Sequence, residues 1–324
     1  MRMALAALCV LLLGHAVTGV EAGEKKKWVI GFSQCNLGEQ WRANMYEELK
    51  RAVARHPDEL ELIHKDAQLD TSRQQSQLRE FINDWENGLI DIIMVNPKES
   101  APFTPIVKEA YEMGCPIFVI DRDILTEDYT CFIGGDNMVM GRAAGEWMKE
   151  KLKDRPSAKG VELQGLMTTA PAQERNKGFI EAIKGSDMEI VFRADCNWME
   201  ADGRKEMESA LARFPEIDFV YAHNDPMGHG AYLAAQNAGR EKDMFIIGID
   251  GMPHEGMAYV KTGQLDATFV YPSGMDTAIE TCLKLKHGEK IPQRIMLNTI
   301  LYDKDNPDGK TIGENREYWE KGHR

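Results

Sequence analysis

Basic residues are in short supply: 39 lysines and arginines stand against 52 aspartates and glutamates, a formal charge of −13. That balance argues against nucleic acid and against anionic lipid surfaces, both of which call for basic patches. Six cysteines are present, with no CxxC and no Cys/His set at metal-ligand spacing. No glycine loop for phosphate and no nucleophile elbow occurs, so the usual signatures of phosphoryl and acyl transfer are missing. No helix-turn-helix pattern precedes the first strand, which leaves a DNA-binding regulator without its headpiece. No Pro/Gly/Ser-rich stretch interrupts the chain, so a simple flexible tether between halves is not expected.

What is there begins with a leader pattern. Arg2 supplies a positive start, Ala4 to Leu13 an apolar run, and Val20-Glu21-Ala22 a small-residue cleavage site. The run is too short to span a bilayer. Residues 1–22 are therefore expected to be removed and the mature protein to be exported to the periplasm. Five cysteines would remain (Cys35, Cys115, Cys131, Cys196 and Cys282), so at least one thiol stays free. A chain of this size folds without staples.

Apolar β-branched runs then alternate with helical periodicity. Strands are expected at 27–33, 61–67, 89–97, 116–120 and 131–133, with helices at 41–54, 71–87 and 105–113. The alternation restarts with strands at 159–165, 188–196, 218–225, 244–251 and 265–272. The helices between and after them are expected at 171–184, 200–213, 228–238, 254–262 and 275–286. Repeated β-α units force parallel pairing and right-handed crossovers. The fold class is α/β, with two similar Rossmann-like lobes built on parallel sheets. The expected division is residues 26–127 plus 271–296 for one lobe and 128–270 plus 297–324 for the other. Chain crossings near 124–130 and 270–273 would act as hinges. The tail after Ile300 is polar and uninformative.

Strand after strand ends on polar residues: Ser33-Gln34, Asp66, Asn96, Asp121-Arg122, Asp136-Asn137, Asn224-Asp225 and Asp250, with Glu174-Arg175 just after another. Ligands of open parallel sheets gather past such carboxyl ends. So many charged and hydrogen-bonding groups do not suit a dry core. Trp41, and more weakly Trp198, offer flat faces. Paired Asp/Arg groups and an aromatic face are the chemistry that recognises neutral polyols. Each residue also has a plainer explanation. Asp136 reads as a helix N-cap, Arg175 as a solvated helix residue, Trp41 as a packing anchor and Asp250 as a turn residue before Gly251. His223 and His229 lie near Asp225, but no further metal ligand has the right spacing.

Seven segments in order carry a resemblance. They are GFSQ with WRA (31–34, 41–43), VIDR (119–122), GGDN (134–137), VELQG (161–165), ERNKGF (174–179), YAHNDPMGHGA (221–231) and IGIDG (247–251). With them the chain resembles, from about Val29 to Tyr302, the type I periplasmic sugar-binding proteins of the ribose/galactose-binding family. Its look is nearest to the galactofuranose-binding members. The resemblance implies the periplasmic binding protein-like I fold, with two lobes joined by a multi-strand hinge. It implies a monosaccharide ligand, no catalysis, no cofactor and no metal. The partner would be the membrane permease of a sugar ABC transporter, or a sensor receptor, and the protein a monomer that does not bind nucleic acid. Carried over by position, Arg42 lies in the cleft with Trp41 as stacking face, and Asp121 and Arg122 grip ring hydroxyls. Asp136 and Asn137 match the entry to the second lobe. Arg175, Asn224 and Asp250 match the second lobe's cleft residues, and Ser33 and Gln34 are lesser contributors.

The chain departs from the family at Phe269-Val270-Tyr271, where many relatives place Gln or Glu, and at 171–173 and 196–202. Two other classes stay in view. A sensor would present its closed form to a receptor kinase or chemoreceptor. A glycosidase would need two carboxylates flanking one bond, for which Asp121 and Asp250 are the candidates.

Overall fold

The computed structural model describes residues 27–312, so the leader expected at 1–22 lies outside the described residues. The chain runs β1 (Trp28–Gln34), α1 (Gln40–Ala54), β2 (Leu60–Asp66), α2 (Thr71–Glu86), β3 (Ile92–Asn96), α3 (Ser100–Glu112), β4 (Ile117–Ile120) and β5 (Cys131–Gly135). It continues through α4 (Asn137–Lys151), β6 (Ala158–Gln164), α5 (Ala170–Ile183), β7 (Met188–Asp195), α6 (Glu200–Arg213), β8 (Phe219–Ala222) and α7 (Asp225–Asn237). Last come β9 (Phe245–Asp250), α8 (Gly256–Thr262), β10 (Ala267–Val270), α9 (Met275–Lys286), β11 (Arg294–Leu297), β12 (Thr299–Asp303) and β13 (Lys310–Ile312).

Two sheets result. The first has six strands in the order β11-β5-β4-β3-β1-β2, all parallel. The second has seven, in the order β13-β12-β10-β9-β8-β6-β7, parallel except for the antiparallel pairs β10/β12 and β12/β13. All five residues of β3 are buried, as a central strand covered by helices on both faces requires. On α2, Gln74, Leu78, Phe81 and Ile82 are the buried residues, and Asp70 caps the helix by accepting the Arg73 N–H at 2.8 Å.

The chain passes between the sheets after Gly135, between Val270 and Met275, and between Leu297 and Thr299. The first passage corrects the expectation of a crossing at 124–130 and a lobe boundary at 127/128. Cys131, Phe132 and Ile133 pair in parallel with Phe118, Val119 and Ile120, so this apolar run stays in the first sheet. The polar segment before it serves as the crossover within that sheet.

Other elements differ too. Helix α3 begins at Ser100 and keeps Pro105 inside, where a start at Pro105 was expected. The reading of Asp136 as an N-cap marks the start of helix α4, but its extent and the strands β11 to β13 go beyond the sequence expectation. The sequence of α4, NMVMGRAAGEWMKEK, is broken by glycine and has a weak apolar stripe, and the three strands are short.

In both sheets the order reverses beside the first strand of its lobe: β2-β1-β3 in one and β7-β6-β8 in the other. Ligand crevices form at such switch points, at the carboxyl ends of the strands. The residues described next lie at or just beyond those ends.

Candidate functional site

A cavity lies between the sheets, lined by Glu39, Trp41, Arg42, Asp121, Arg122, Pro171, Arg175, Trp198, Asn224, Asp250 and Tyr271. Two wider grooves adjoin it. One shares Trp41, Asp250 and Tyr271 with it, and the other shares Glu39, Arg122 and Trp198.

The first-sheet side is a closed ionic network. Asp121, just past β4, accepts from Arg42 Nη1 at 2.5 Å, from Asn96 Nδ2 at 2.9 Å and from the Tyr271 hydroxyl at 2.5 Å. Arg42 Nη1 also donates to Asn96 Oδ1 at 3.0 Å, and its main-chain oxygen accepts from Gln34 Nε2 at 2.8 Å. Burial works against the Asp121 charge, but Arg42 and Arg122 outweigh it and hold the carboxyl below its ordinary value. Arg122 Nη1 donates to the Lys98 carbonyl at 2.7 Å. The rings of Trp41 and Tyr271 stack at 5.1 Å, and Trp41 Nε1 donates to the Tyr271 carbonyl at 2.9 Å.

The second-sheet side is built differently. Arg175 sits in α5 with Nε donating to Asn137 Oδ1 at 2.9 Å and Nη1 to the His223 carbonyl. Its guanidinium lies 4.5 Å over the Tyr271 ring and 5.4 Å over the Trp198 ring. Helix α4 reaches this turn closely, because a Cβ at Gly141 would stand 2.3 Å from the Arg175 carbonyl oxygen. Asn224 caps α7 through the Met227 N–H at 3.0 Å and donates to the Trp198 carbonyl at 3.0 Å. The Trp198 ring rests on Gly165, where any Cβ would come within 2.3 Å of it.

Asp250 ends β9, and among the described residues no donor reaches its carboxylate. Burial raises it well above its ordinary value; Arg175 pulls the other way, and Asp225 adds to the rise. Asp225 lies behind it, fully buried, accepting from the Gly251 N–H at 2.7 Å and the Thr268 hydroxyl at 2.7 Å. Arg42 Nε, Arg122 Nε and Trp198 Nε1 are buried without an acceptor. Backbone strain gathers here as well. Asp121 (φ 67°), Asp250 (φ 142°) and Trp198 (φ 69°) are non-glycine residues at positive φ, and all three line the cavity.

Of the residues expected from the sequence, the structure brings together Trp41, Arg42, Asp121, Arg122, Arg175, Asn224 and Asp250. Ser33, Gln34, Asp136 and Asn137 do not line the cavity. Ser33 donates to Gln77, and Gln34 supports Arg42 from behind. Asp136 caps α4 through the Val139 N–H, and Asn137 stands behind Arg175. Tyr271 was not singled out as a site residue, although it directly follows β10. Trp198 stands in the sequence only as a weaker face, Pro171 only as part of the departure at 171–173, and Glu39 carries no site reading there. Each of the four follows a strand end within one loop or helix turn, which is the signal that could have found them.

Comparison with known proteins gives a consistent picture. Residues 30–290 match the family model described as periplasmic binding protein domain. The ribose import binding protein RbsB of Bacillus subtilis (strain 168) is 28% identical over 276 residues, 85% of this chain and 87% of that protein. The galactofuranose-binding protein YtfQ of Escherichia coli (strain K12) is 29% identical over 278 residues, 83% of this chain and 85% of that protein. Among solved structures, the fructose binding periplasmic domain of a hybrid two component system superposes with a TM-score of 0.81. It shares 37% identity, covering 87% of this chain and 92% of that one.

Proposed function

Because the chain belongs to the periplasmic binding protein domain family, whose members bind substrates and are not enzymes, we propose that it captures one monosaccharide between its lobes and hands it to an ABC-type sugar permease. The observation that carries this reading is the pattern of unmet hydrogen-bonding groups around a single cavity. The Asp250 carboxylate has no donor, while Arg42 Nε, Arg122 Nε and Trp198 Nε1 have no acceptor. Buried polar groups left unpaired are costly, so the ligand must both donate and accept at short range. A ring carrying adjacent hydroxyls does both, and the aromatic faces of Trp41 and Trp198 suit its C–H surface. Relatives named for ribose, galactofuranose and fructose support a pentose or a furanose.

Arg175 is 2% exposed and Asn224 4% exposed, so a ligand can enter only when the lobes part. Ligand then biases an open–closed equilibrium, with the crossings after Gly135, Val270 and Leu297 absorbing the change. Export to the periplasm after removal of residues 1–22 belongs to the same reading.

A thermal-shift screen of the mature protein against ribose, arabinose, galactose, fructose and furanose forms tests it. A ligand that binds only the folded state raises Tm by mass action. A clear rise with one or two sugars is expected. No rise with any sugar, in folded protein freed of carried-over ligand, overturns the reading.

One observation favours a second partner. The solved structure at 37% identity is the periplasmic domain of a hybrid two component system. A neighbouring gene for a sensor kinase, in place of an ATPase and permease, would move the assignment from transport to sensing.

A further inference from the structure

Behind the second-sheet side of the cavity lies a polar cluster that does not line it. Glu162 in β6 and His223 just past β8 are both fully buried. His223 Nε2 lies 3.0 Å from Glu162 Oε1, and the Gly165 N–H donates to His223 Nδ1 at 3.2 Å. Since Nδ1 must accept, the ring proton sits on Nε2, and the imidazole is neutral. Glu162 Oε1 also accepts from Asn176 Nδ2 at 2.8 Å, and Oε2 accepts from Arg193 Nε at 2.5 Å.

The charged and titratable groups facing the pair are Arg193 from β7, Arg175 from α5 and Tyr221 from β8, whose ring lies 5.1 Å from the imidazole. Burial holds His223 below its ordinary value, although Glu162 pulls the other way. Burial disfavours the charged Glu162, but the His223 and Asn176 hydrogen bonds and the positive charge of Arg193 outweigh it and bring the carboxyl to about 2. The carboxylate therefore stays charged and the ring neutral across ordinary pH.

A buried charge is a poor way to gain stability, since a well-packed apolar pair of the same volume does as well or better. What this pair does provide is alignment. Asn176 is the residue after Arg175 on α5, and the His223 carbonyl is the acceptor of Arg175 Nη1. One carboxylate thus ties together the helix turn that carries Arg175 and the strand end that receives it. We propose that Glu162 and His223 are positioning residues for Arg175, fixing the turn of α5 and the His223 carbonyl so that the guanidinium is held against the cavity. The proposal rests on the reading of Arg175 as a ligand-gripping residue.

The test is a double-mutant cycle on sugar affinity, using whichever of ribose, arabinose, galactose or fructose gives the largest thermal shift. Arg175→Ala is expected to weaken binding by roughly a hundredfold or more, and Glu162→Ala by roughly tenfold. If Glu162 acts through Arg175, the double variant binds about as weakly as Arg175→Ala alone. Multiplying losses, or a folded Glu162→Ala protein with wild-type affinity, would overturn the proposal. Should Glu162→Ala not fold, His223→Gln enters the same cycle, since its amide can still donate to Glu162 without holding the main chain as the ring does.

A second readout needs no sugar. The Arg175 Nε–H resonance, identified by its loss in Arg175→Lys, is expected to exchange slowly in the wild type and rapidly in the Glu162 or His223 variant. The His223 ring is expected to remain the neutral Nε2–H form from pH 8 to pH 5. A panel in which no sugar binds defeats the functional reading alone, and the resonance then decides the positioning role. Unchanged Nε–H exchange in a folded variant defeats the positioning role alone.

Discussion

The two sides of the cavity use the same residue types to opposite ends. On the first-sheet side, Asp121 is gripped by Arg42, Asn96 and Tyr271 and stays ionised. On the second-sheet side, Asp250 has no donor, and its charge is disfavoured by burial and by Asp225 behind it. One carboxylate is finished by the protein, whereas the other waits for a partner. The carboxylate of the first side is therefore already held, and ligand hydroxyls complete the hydrogen bonding at Asp250 and Trp198 Nε1 on the second side and at Arg42 Nε and Arg122 Nε on the first. A site built this way binds by meeting what each side leaves unpaired without rebuilding the Asp121 network.

Breaking the preorganised side has the largest expected effect. Asp121→Ala leaves Arg42 and Arg122 buried without their counter-charge and should cost about 3–5 kcal/mol of stability, read by denaturant unfolding. A loss under about 1 kcal/mol would mean that the network does not hold Asp121 as described.

Asp250→Asn attacks the other side. It removes no hydrogen bond within the protein and relieves repulsion with Asp225, so stability should hold or rise. Sugar affinity should nevertheless fall by about 0.5–1.5 kcal/mol, the net worth of a hydrogen bond that the amide does not reproduce, by calorimetric titration. Equal losses in stability and affinity would erase the distinction between the two sides.

Acid separates them as well. Burial raises Asp225 to about 7, with Thr268 and the Gly251 N–H opposing, and raises Asp250 in the same direction. At Asp225 the folded state therefore binds more protons than the unfolded state between about pH 4 and pH 7, and Asp250 acts in the same sense. Stability of the sugar-free protein should therefore rise as pH falls through that window, by up to about 1.4 kcal/mol per pH unit for each proton. Asp121 acts in the other sense. Its depressed value contributes stability that is present above the unfolded value near 4 and lost only as pH falls below it. Melting temperature against pH should climb from pH 8 to about pH 5 and drop below pH 4, and Asp225→Asn should flatten the climb.

An effect as small as that at Asp250 is expected at Trp198→Phe, which keeps an aromatic face over Gly165 and removes the unpartnered Nε1 donor. Stability should be unchanged or slightly raised, and affinity should fall by about 0.5–1.5 kcal/mol. Unchanged affinity would mean that the indole N–H does not meet the ligand.

Much of this was legible before any coordinates. The α/β alternation follows from local periodicity, and the rule that ligands gather past strand ends pointed to Arg42, Asp121, Arg122, Arg175, Asn224 and Asp250. Less legible was which polar strand-end residues face the cavity and which stand behind it. Gln34 and Asn137 occupy strand ends as faithfully as Asp121 does, yet both turn to support an arginine. Of helix α4 only the N-cap at Asp136 was legible, because its glycines, which let it press against α5, also blur its apolar stripe.

By itself, then, the sequence determined most of the elements, the parallel pairing of all but the antiparallel pairs β10/β12 and β12/β13, the polar character of the strand ends and the kinship with sugar-binding proteins. These depend on residues a few positions apart and on short ordered motifs. Only the tertiary structure decided that Cys131–Gly135 completes the first sheet and that Tyr271 bridges both sides. It also decided that Asp121 is satisfied while Asp250 is not. The physical reason is distance along the chain. Trp41 meets the Tyr271 carbonyl across 230 positions and Tyr271 meets Asp121 across 150, and no local pattern records how two sheets will face each other.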